Sequence, residues 1–210
     1  MSADHGVLRP ARIPVSTYRL QFGARFTFRQ ARAIVPYLRE LGITDIYASP
    51  YFKSGPASLS GYDIVDPNSL DPQVGTEADY AALVEEIRRN GMGQILDVVP
   101  NHLCIGCDGN AWWQDVLENG RSSPYAGFFD IDWQGSGMGA GGKLLIPILA
   151  SQYGDALEAQ ELRLVISNGA FAVLYQGRSY PLAPETYPVV LDFRREALEG
   201  LLPAGAAHRA

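Results

Sequence analysis

A short apolar run ends abruptly in polar side chains between residues 94 and 102, where the sequence is Gln-Ile-Leu-Asp-Val-Val-Pro-Asn-His. Its four aliphatic residues are typical of a buried strand in a parallel sheet. Pro100 has no N–H to donate to a sheet, so the strand is predicted to end there. Asp97, Asn101 and His102 then lie at the carboxyl end of the strand, where parallel α/β proteins bind their ligands. The stretch therefore predicts both an α/β fold and the place of a site.

Segments with strand and helix patterns alternate before this stretch. Residues 15–20 and 43–49 are rich in β-branched and aromatic residues, which predicts two further strands. The helical spacing of apolar residues predicts helices over residues 28–41 and 77–90. The order strand, helix, strand, helix, strand predicts two βαβ units that share one parallel sheet.

Polar residues mark where the two helices begin. Thr27 and Gln30 form the pattern of a capping box, and Thr76 is predicted to cap the second helix, which has acidic residues in its first turn. Pro36 interrupts the first helix, so we expect a kink or a late start there. Residues 51–75 are predicted to form a loop that is too long for a simple connection, and loops of this length often carry function.

The alternation stops after residue 102. Residues 103–160 are rich in glycine and aromatic residues. A β-hairpin is predicted over residues 162–175, with its turn at Asn168-Gly169, and a third short strand is predicted at residues 179–180. Residues 194–202 are a candidate for a short helix.

Three strands cannot close an eight-stranded barrel, so the sheet is either a small open sheet or the first part of a (β/α)8 barrel. In the second case the fold class is α/β, a partial (β/α)8 TIM barrel of three βα units with an inserted, partly β subdomain after the third strand. The predicted organisation is a flexible leader (1–13), the first part of the barrel (14–102), the inserted subdomain with the hairpin (103–193) and a tail (194–210).

The charge and the apolar runs argue against two classes of partner. Seventeen Lys and Arg against 23 Asp and Glu give a net charge of −6, which argues against nucleic-acid binding. The longest apolar run, residues 144–150, is too short to span a bilayer. The first six residues lack the apolar core of a signal peptide. We therefore expect no membrane partner and a cytoplasmic location.

The two cysteines, Cys104 and Cys107, have the spacing C-x-x-C. They could form a redox pair, or half of a zinc site with His102 and Asp108. A zinc site normally needs four ligands, and the sequence has no second C-x-x-C. Two ordinary thiols in a loop are the simpler alternative, and the sequence leaves the choice open.

Eight segments share their pattern with one family of enzymes. They are residues 16–21, 36–38, 47–50, 61–63, 97–102, 112–113, 115–118 and 129–133. Together they resemble the N-terminal part of the maltooligosyltrehalose synthase family, a branch of the alpha-amylase superfamily, from about residue 14 to about residue 190. The Ser-Thr-Tyr-Arg-Leu-Gln and Phe-Asp-Ile-Asp-Trp segments indicate this branch, whereas Asp-x-x-x-Asn-His alone indicates only the superfamily.

The resemblance implies a (β/α)8 barrel with an insertion after the third strand, which matches the point where the alternation stops. It also implies conversion of the reducing-end α-1,4 link of a maltooligosaccharide into an α,α-1,1 link, so that the product ends in trehalose. This reaction of trehalose biosynthesis is an intramolecular transglucosylation, formally an isomerisation. The implied partner is a maltooligosaccharide or linear α-1,4-glucan, and no cofactor is expected.

The resemblance assigns roles in sugar binding to four residues. His102 matches the superfamily histidine that hydrogen-bonds the sugar in the reacting subsite, and a neutral imidazole can both donate and accept. Tyr62 matches a tyrosine that stacks under that sugar. Asp97 matches an aspartate that orders its neighbours, and Asp63 matches an acid that pairs with a barrel arginine beyond this chain. The alternatives are a strand-end histidine bonded to backbone and a half-buried tyrosine in a loop turn.

Three further residues are candidate contacts. Asn101 matches a calcium ligand of true amylases, but no metal site is predicted here. Trp112 and Trp113 are candidate sugar platforms, although packing in a core or a subdomain interface is the more common role of such residues. Ser60 stands where the family has a histidine, which weakens the other contacts predicted for that loop but not the role of Tyr62.

No catalytic residue is predicted on this chain. A retaining glycosidase-type reaction needs a carboxylate nucleophile and a carboxylic acid, and the resemblance places both on later strands. We therefore expect an N-terminal fragment that holds part of the sugar-binding face and is inactive alone. The alternatives are an alpha-amylase-type glucan hydrolase fragment and a non-catalytic glucan-binding protein.

Overall fold

The computed structural model describes residues 12–134, 142–167 and 169–193. The chain divides into a first compact unit that ends at Asn110 and a second that begins at Ala111. All but two residues of the predicted leader, and the predicted tail with its helix, lie outside the described residues.

A three-stranded parallel sheet organises the first unit. Within residues 12–110 the elements are β1 (Thr17–Leu20), α1 (Phe28–Glu40), β2 (Asp45–Ala48), β3 (Phe52–Ser54), β4 (Ile64–Leu70), α2 (Glu77–Arg89) and β5 (Gly93–Leu96). The sheet has the order β1-β2-β5, and both of its strand pairs are parallel. The predicted alternation of strands and helices and the shared parallel sheet are therefore confirmed.

Both long helices begin at the predicted threonine caps. Thr27 Oγ1 accepts from the Gln30 N–H at 3.4 Å, and Gln30 Oε1 accepts from the Thr27 N–H at 2.8 Å. Thr76 and Asp79 make the same reciprocal pair at 3.2 and 3.1 Å. Each capping box satisfies two N–H groups that would otherwise lack a partner. The helix is therefore fixed to begin at the residue that follows the threonine.

Helix α1 continues through Pro36, so the predicted late start there is wrong. Its buried face explains why the helix tolerates a proline: Ala31, Val35 and Leu38 are at most 1% exposed and pack in the core of the unit. Burying one Val or Leu side chain contributes about 1.5–3 kcal/mol, so these residues together outweigh the roughly 3 kcal/mol cost of an internal proline.

The prediction that residues 51–75 form a single loop is wrong, because β3 and β4 pair antiparallel within them. Pro67 and three polar residues lie inside β4 and disfavour a strand by local propensity, so the sequence pattern conceals it. The connection between the two strands is residues 55–63, which we call the Tyr62 loop.

Strand β5 is shorter and more exposed than the predicted buried strand that ends at Pro100. It ends at Leu96, all four of its residues are half-buried, and Val98 beyond it is 52% exposed. Among the described residues β5 pairs only with β2, so it is an edge strand and one side of it lacks a strand partner. The Asp97 N–H still donates to the Ala48 carbonyl at 2.9 Å, which holds Asp97 at the carboxyl edge of the sheet.

The second unit contains an antiparallel sheet of order β6-β7-β8. Its described elements are α3 (Ala111–Asn119), α4 (Tyr153–Glu158), β6 (Arg163–Ser167), β7 (Ala170–Tyr175), β8 (Arg178–Pro181), α5 (Tyr187–Asp192) and three 3-10 turns (Gly120–Ser122, Ala126–Phe128, Pro184–Thr186). The hairpin and the third strand are confirmed, whereas the three short helices were not predicted. In the described part of the chain, no helix has the length and apolar character needed to cross a membrane.

Candidate functional site

Four side chains from different segments meet at the carboxyl edge of the parallel sheet. The Tyr62 hydroxyl donates to Asp97 Oδ2, and the Tyr47 hydroxyl donates to the same oxygen at 3.1 Å. Arg19 Nη2 donates to the Tyr62 hydroxyl at 3.0 Å, and Arg19 Nη1 lies 3.5 Å from Asp97 Oδ2. We call these four residues the Asp97 cluster.

The strand register explains how the Asp97 cluster forms. Arg19 lies directly opposite Tyr47 in the β1–β2 ladder, and Tyr47 lies opposite Ile95, two residues before Asp97. The Arg19 guanidinium carbon lies 5.2 Å from the centre of the Tyr47 ring, in the range of a cation–π contact. Neither Arg19 nor Tyr47 is among the site residues predicted from the sequence. The available signal was a charged residue and a phenol near the ends of two predicted parallel strands.

Hydrogen bonds within the cluster shift the pKa values of Asp97, Tyr47 and Arg19 away from neutrality. The hydrogen bond from Tyr62, supported by those from Tyr47 and Arg19, holds the pKa of the Asp97 carboxyl below its usual value. The bond to Asp97 raises the pKa of Tyr47, and the bond to Tyr62 raises the pKa of Arg19. Near neutral pH Asp97 is therefore an anion that accepts from the neutral Tyr47 phenol and faces the Arg19 cation.

A tight turn positions Tyr62. Gly61 has a φ of +77°, and a Cβ added there would lie 2.7 Å from the Pro50 carbonyl oxygen, so only glycine fits. Gln21 Nε2 donates to the Ser60 carbonyl at 2.8 Å. The backbone on the N-terminal side of the tyrosine is thus fixed at two points.

Asp63 closes the Tyr62 loop on itself. Ser58 Oγ donates to Asp63 Oδ1 and in turn accepts from the Gly61 N–H at 3.0 Å. The Gly55 N–H donates to the Asp63 carbonyl at 3.0 Å, which joins the two ends of the loop. The pairing of Asp63 with a barrel arginine stays a prediction.

His102 lies against the backbone of the same loop. Its Nε2 is 3.2 Å from the Tyr62 carbonyl oxygen, and its side chain is exposed. In the tautomer that carries a proton on Nε2, this nitrogen donates to the carbonyl and leaves Nδ1 free to accept from a ligand. The structure therefore brings together Tyr62, Asp63, Asp97 and His102, the four main candidates.

The other candidates lie in different surroundings. Asn101 is exposed. Trp113 is 7% exposed and packs on Phe129 at 5.0 Å, while Trp112 is half-buried and stacks on Tyr125 at 5.3 Å with an interplanar angle of 9°. Both tryptophans thus pack on other aromatic rings within the second unit. No group of three or more His, Cys, Asp or Glu side chains suited to a metal ion occurs among the residues that the structure describes.

An open groove of about 380 Å³ lies beside the Tyr62 loop, between residues 21–26 and residues 56–59. Its size falls within the usual range of small-ligand sites. Gln21, which anchors Ser60, and the loop residue Leu59, which is 85% exposed, line it.

The fold and the site define an α/β protein built as part of a (β/α)8 barrel, with its polar cluster at the carboxyl edge of the strands. Residues 33–157 match the family model of the alpha amylase catalytic domain, which is more than half of the chain. The chain belongs to the alpha-amylase family.

The relatives that match most of this chain belong to one branch of that family. A Mycobacterium tuberculosis protein provisionally named maltooligosyl trehalose synthase is 39% identical over 170 residues, which are 74% of this chain and 22% of the relative. The structure of maltooligosyltrehalose synthase from Arthrobacter ramosus matches with a TM-score of 0.72 and 38% identity over 82% of this chain and 22% of that one. A maltogenic alpha-amylase of Bacillus acidopullulyticus is 38% identical over only 97 residues. The resemblance to maltooligosyltrehalose synthases and the partial barrel are confirmed, and this chain spans about a fifth of the length of those relatives.

Proposed function

We propose that this chain binds the end of a maltooligosaccharide and forms the N-terminal part of the sugar site of a maltooligosyltrehalose synthase. The reaction proposed for the complete enzyme converts the terminal α-1,4 link into an α,α-1,1 link within one molecule. The relatives that match most of this chain carry the name of that enzyme, which supports the proposal. A cytoplasmic location is part of the proposal and can be tested by cell fractionation.

The juxtaposition of Tyr62, Asp97 and His102 carries the proposal. Asp97 holds the Tyr62 hydroxyl, so the ring can offer a fixed apolar face to the C–H bonds of a sugar. His102 donates to the loop backbone and keeps its second ring nitrogen for a sugar hydroxyl. One stacking face and one adjacent hydrogen-bonding group are what recognition of a pyranose ring requires.

The carboxylates of the site are suited to holding groups in place rather than to bond cleavage. Asp97 Oδ2 accepts from two phenols and faces Arg19, and Asp63 Oδ1 accepts from Ser58. The hydrogen bonds to Asp97 stabilise its anion and reduce its nucleophilicity, whereas a retaining mechanism needs one nucleophilic carboxylate and one protonated carboxyl group. We therefore propose that the 210-residue chain binds sugar without transforming it.

Titration calorimetry with maltopentaose tests the binding. We expect Tyr62→Ala to weaken it about three- to tenfold, as the loss of one aromatic contact implies, and His102→Ala to weaken it as well. Tyr37→Ala is the matched control, because that tyrosine lies on α1 and is 61% exposed. Equal effects of Tyr62→Ala and Tyr37→Ala, or no binding by the unmodified chain, would contradict the proposal.

Incubation of the chain with maltopentaose tests the lack of turnover. Proton NMR of the anomeric region distinguishes an α,α-1,1 product from the reducing ends that hydrolysis releases. We expect no α,α-1,1 signal and no change in the intensity of the reducing-end signals that maltopentaose itself gives. Product formation that is lost in His102→Ala would show that this chain carries out the chemistry, and released reducing ends would favour a glucan hydrolase.

A further inference from the structure

Cys104 and Cys107 form a disulfide in the segment that follows His102. Their Cα atoms are 5.5 Å apart, a common separation for a disulfide. Both cysteines are half-buried, and Ile105 and Gly106 between them are exposed. The segment that carries the bond is therefore partly open to solvent, and sugar binding as proposed above leaves this feature without a role.

The Cys107 side chain rests on the Tyr62 loop. A Cβ added to Gly55 would lie 3.0 Å from Cys107 Cβ and 3.1 Å from its Sγ, so the absent side chain of glycine lets the disulfide touch the loop backbone. Cys107 Sγ also lies 3.8 Å from Asp63 Oδ2. Gly55 and Asp63 are the two ends of the loop, so Cys107 contacts it where it is closed.

The Cys104 backbone is attached to the residue that follows the loop. Its N–H donates to the Ile64 carbonyl at 2.8 Å, and its carbonyl accepts from Asn110 Nδ2 at 3.0 Å. Two residues earlier, His102 lies 3.2 Å from the Tyr62 carbonyl. The segment 102–107 thus contacts the Tyr62 loop or the residue after it in three places, at His102, Cys104 and Cys107. The disulfide fixes the position of Cys107 relative to the other two contacts.

We propose that Cys104–Cys107 is a reversible thiol–disulfide site, reacting with small dithiols and disulfides, whose bonded form holds the Tyr62 loop in order. A thiolate of the dithiol attacks one Sγ, so that the Cys104–Cys107 bond breaks, a mixed disulfide forms and the other cysteine leaves as a thiolate. The second thiolate of the reagent then attacks the reagent sulfur of the mixed disulfide, and the first cysteine leaves as a thiolate in turn. The reagent leaves as its disulfide, and the protein gains two electrons and two protons as two thiols. The effect on sugar binding rests on the proposed function.

Two features support a regulatory rather than a purely structural bond. The bond closes a loop with only two residues between the cysteines, so it adds little to global stability and acts locally. A cytoplasm, the location proposed above, keeps accessible thiols reduced, and disulfides found there are mostly transient or redox-sensing. In the reduced state, ordering of the loop must accompany sugar binding, which corresponds to roughly tenfold weaker affinity.

The test compares the oxidised 210-residue chain with the same chain reduced by dithiothreitol. A thiol-specific colour reagent verifies the two states, since Cys104 and Cys107 are the two cysteines of the sequence. Hydrogen exchange read by mass spectrometry reports on residues 55–64, and calorimetry reports the affinity for maltopentaose. We expect faster exchange in this segment and weaker binding after reduction, with both reversed on reoxidation.

The double variant Cys104→Ser/Cys107→Ser is the matched control, and it should resemble the reduced chain and ignore dithiothreitol. Unchanged exchange in residues 55–64 after complete reduction would overturn the proposal, as would equal affinity of the two states. If exchange responds to reduction but neither state binds maltopentaose, the thiol–disulfide site stands and the proposed sugar binding fails.

Discussion

Replacing Gly61 by alanine should disrupt the turn that carries Tyr62, and the structure allows its effect to be separated into two parts. At a φ of +77°, an alanine is disfavoured by about 1–2 kcal/mol relative to glycine. Its Cβ would also lie 2.7 Å from the Pro50 carbonyl oxygen, closer than such atoms can approach. Because that oxygen belongs to buried backbone, relief requires a backbone shift, which adds roughly 1–3 kcal/mol.

Gly42→Ala measures the cost of a positive φ alone, without a steric clash. Gly42 has a φ of +89°, but a Cβ added to it would meet nothing within 4 Å. Both glycines belong to the first unit, so the two variants report on unfolding of the same body. We expect Gly42→Ala to lower the free energy of unfolding by about 1–2 kcal/mol and Gly61→Ala by about 2–5 kcal/mol.

Urea unfolding followed by circular dichroism measures the two losses, and calorimetry with maltopentaose measures the effect on the site. Gly61→Ala should weaken sugar binding because the turn shift moves the Tyr62 ring away from Asp97, whereas Gly42→Ala should leave the affinity unchanged. Equal losses of stability in the two variants would show that the Pro50 contact does not exist. Wild-type affinity in a destabilised Gly61→Ala would refute the role of the turn in placing the ring.

Other changes test the fold of each unit. Thr76→Ala removes the cap of α2 and should lower the free energy of unfolding by about 1 kcal/mol in urea titrations, and a loss near zero would contradict the capping box. The hydrogen bond from Arg29 lowers the pKa of Asp79 to about 2, so its stabilising effect is complete above the usual pKa of 3.8 and is lost as the pH falls towards 2. The difference in urea midpoint between the wild type and Asp79→Asn should therefore shrink between pH 5 and pH 2.5, and a constant difference would argue against the pair. Trp113→Ala should destabilise the second unit by about 3–5 kcal/mol because the side chain is 7% exposed, and Trp112→Ala should do so less; the reverse order in thermal melts would contradict the packing.

The parts of the fold that sequence reasoning predicted have local signals. The capping boxes at Thr27 and Thr76 act within one helical turn, and the Asn-Gly sequence at residues 168–169 predicts the hairpin in which β6 pairs with β7. The parts it missed depend on distant partners. Strand β4 contains Pro67 and forms only because β3 pairs with it, and β5 ends early because it is an edge strand in the described sheet.

The site shows the same division. The motif around residues 97–102 and the Gly61-Tyr62-Asp63 segment led to Tyr62, Asp97 and His102, and the structure brings them together. Arg19 and Tyr47 were missed because their role arises from the strand register, which no single segment encodes. Helix α3 was missed as well, and although packing was the more common role expected of Trp112, its partner Tyr125 was not predicted.

The Asp97 cluster and the disulfide hold the Tyr62 loop in different ways, and this difference determines what the site can respond to. In the cluster, the pKa of Asp97 is lowered while those of Tyr47 and Arg19 are raised, so none of these three groups changes its protonation near neutral pH. The bonds of the cluster therefore persist across that range. The Cys104–Cys107 bond, which contacts the loop at Gly55 and Asp63, instead depends on the thiols in solution. A loop held at Tyr62 by the Asp97 cluster and at its two ends by a reducible bond can respond to redox conditions while the bonds of the cluster remain unchanged.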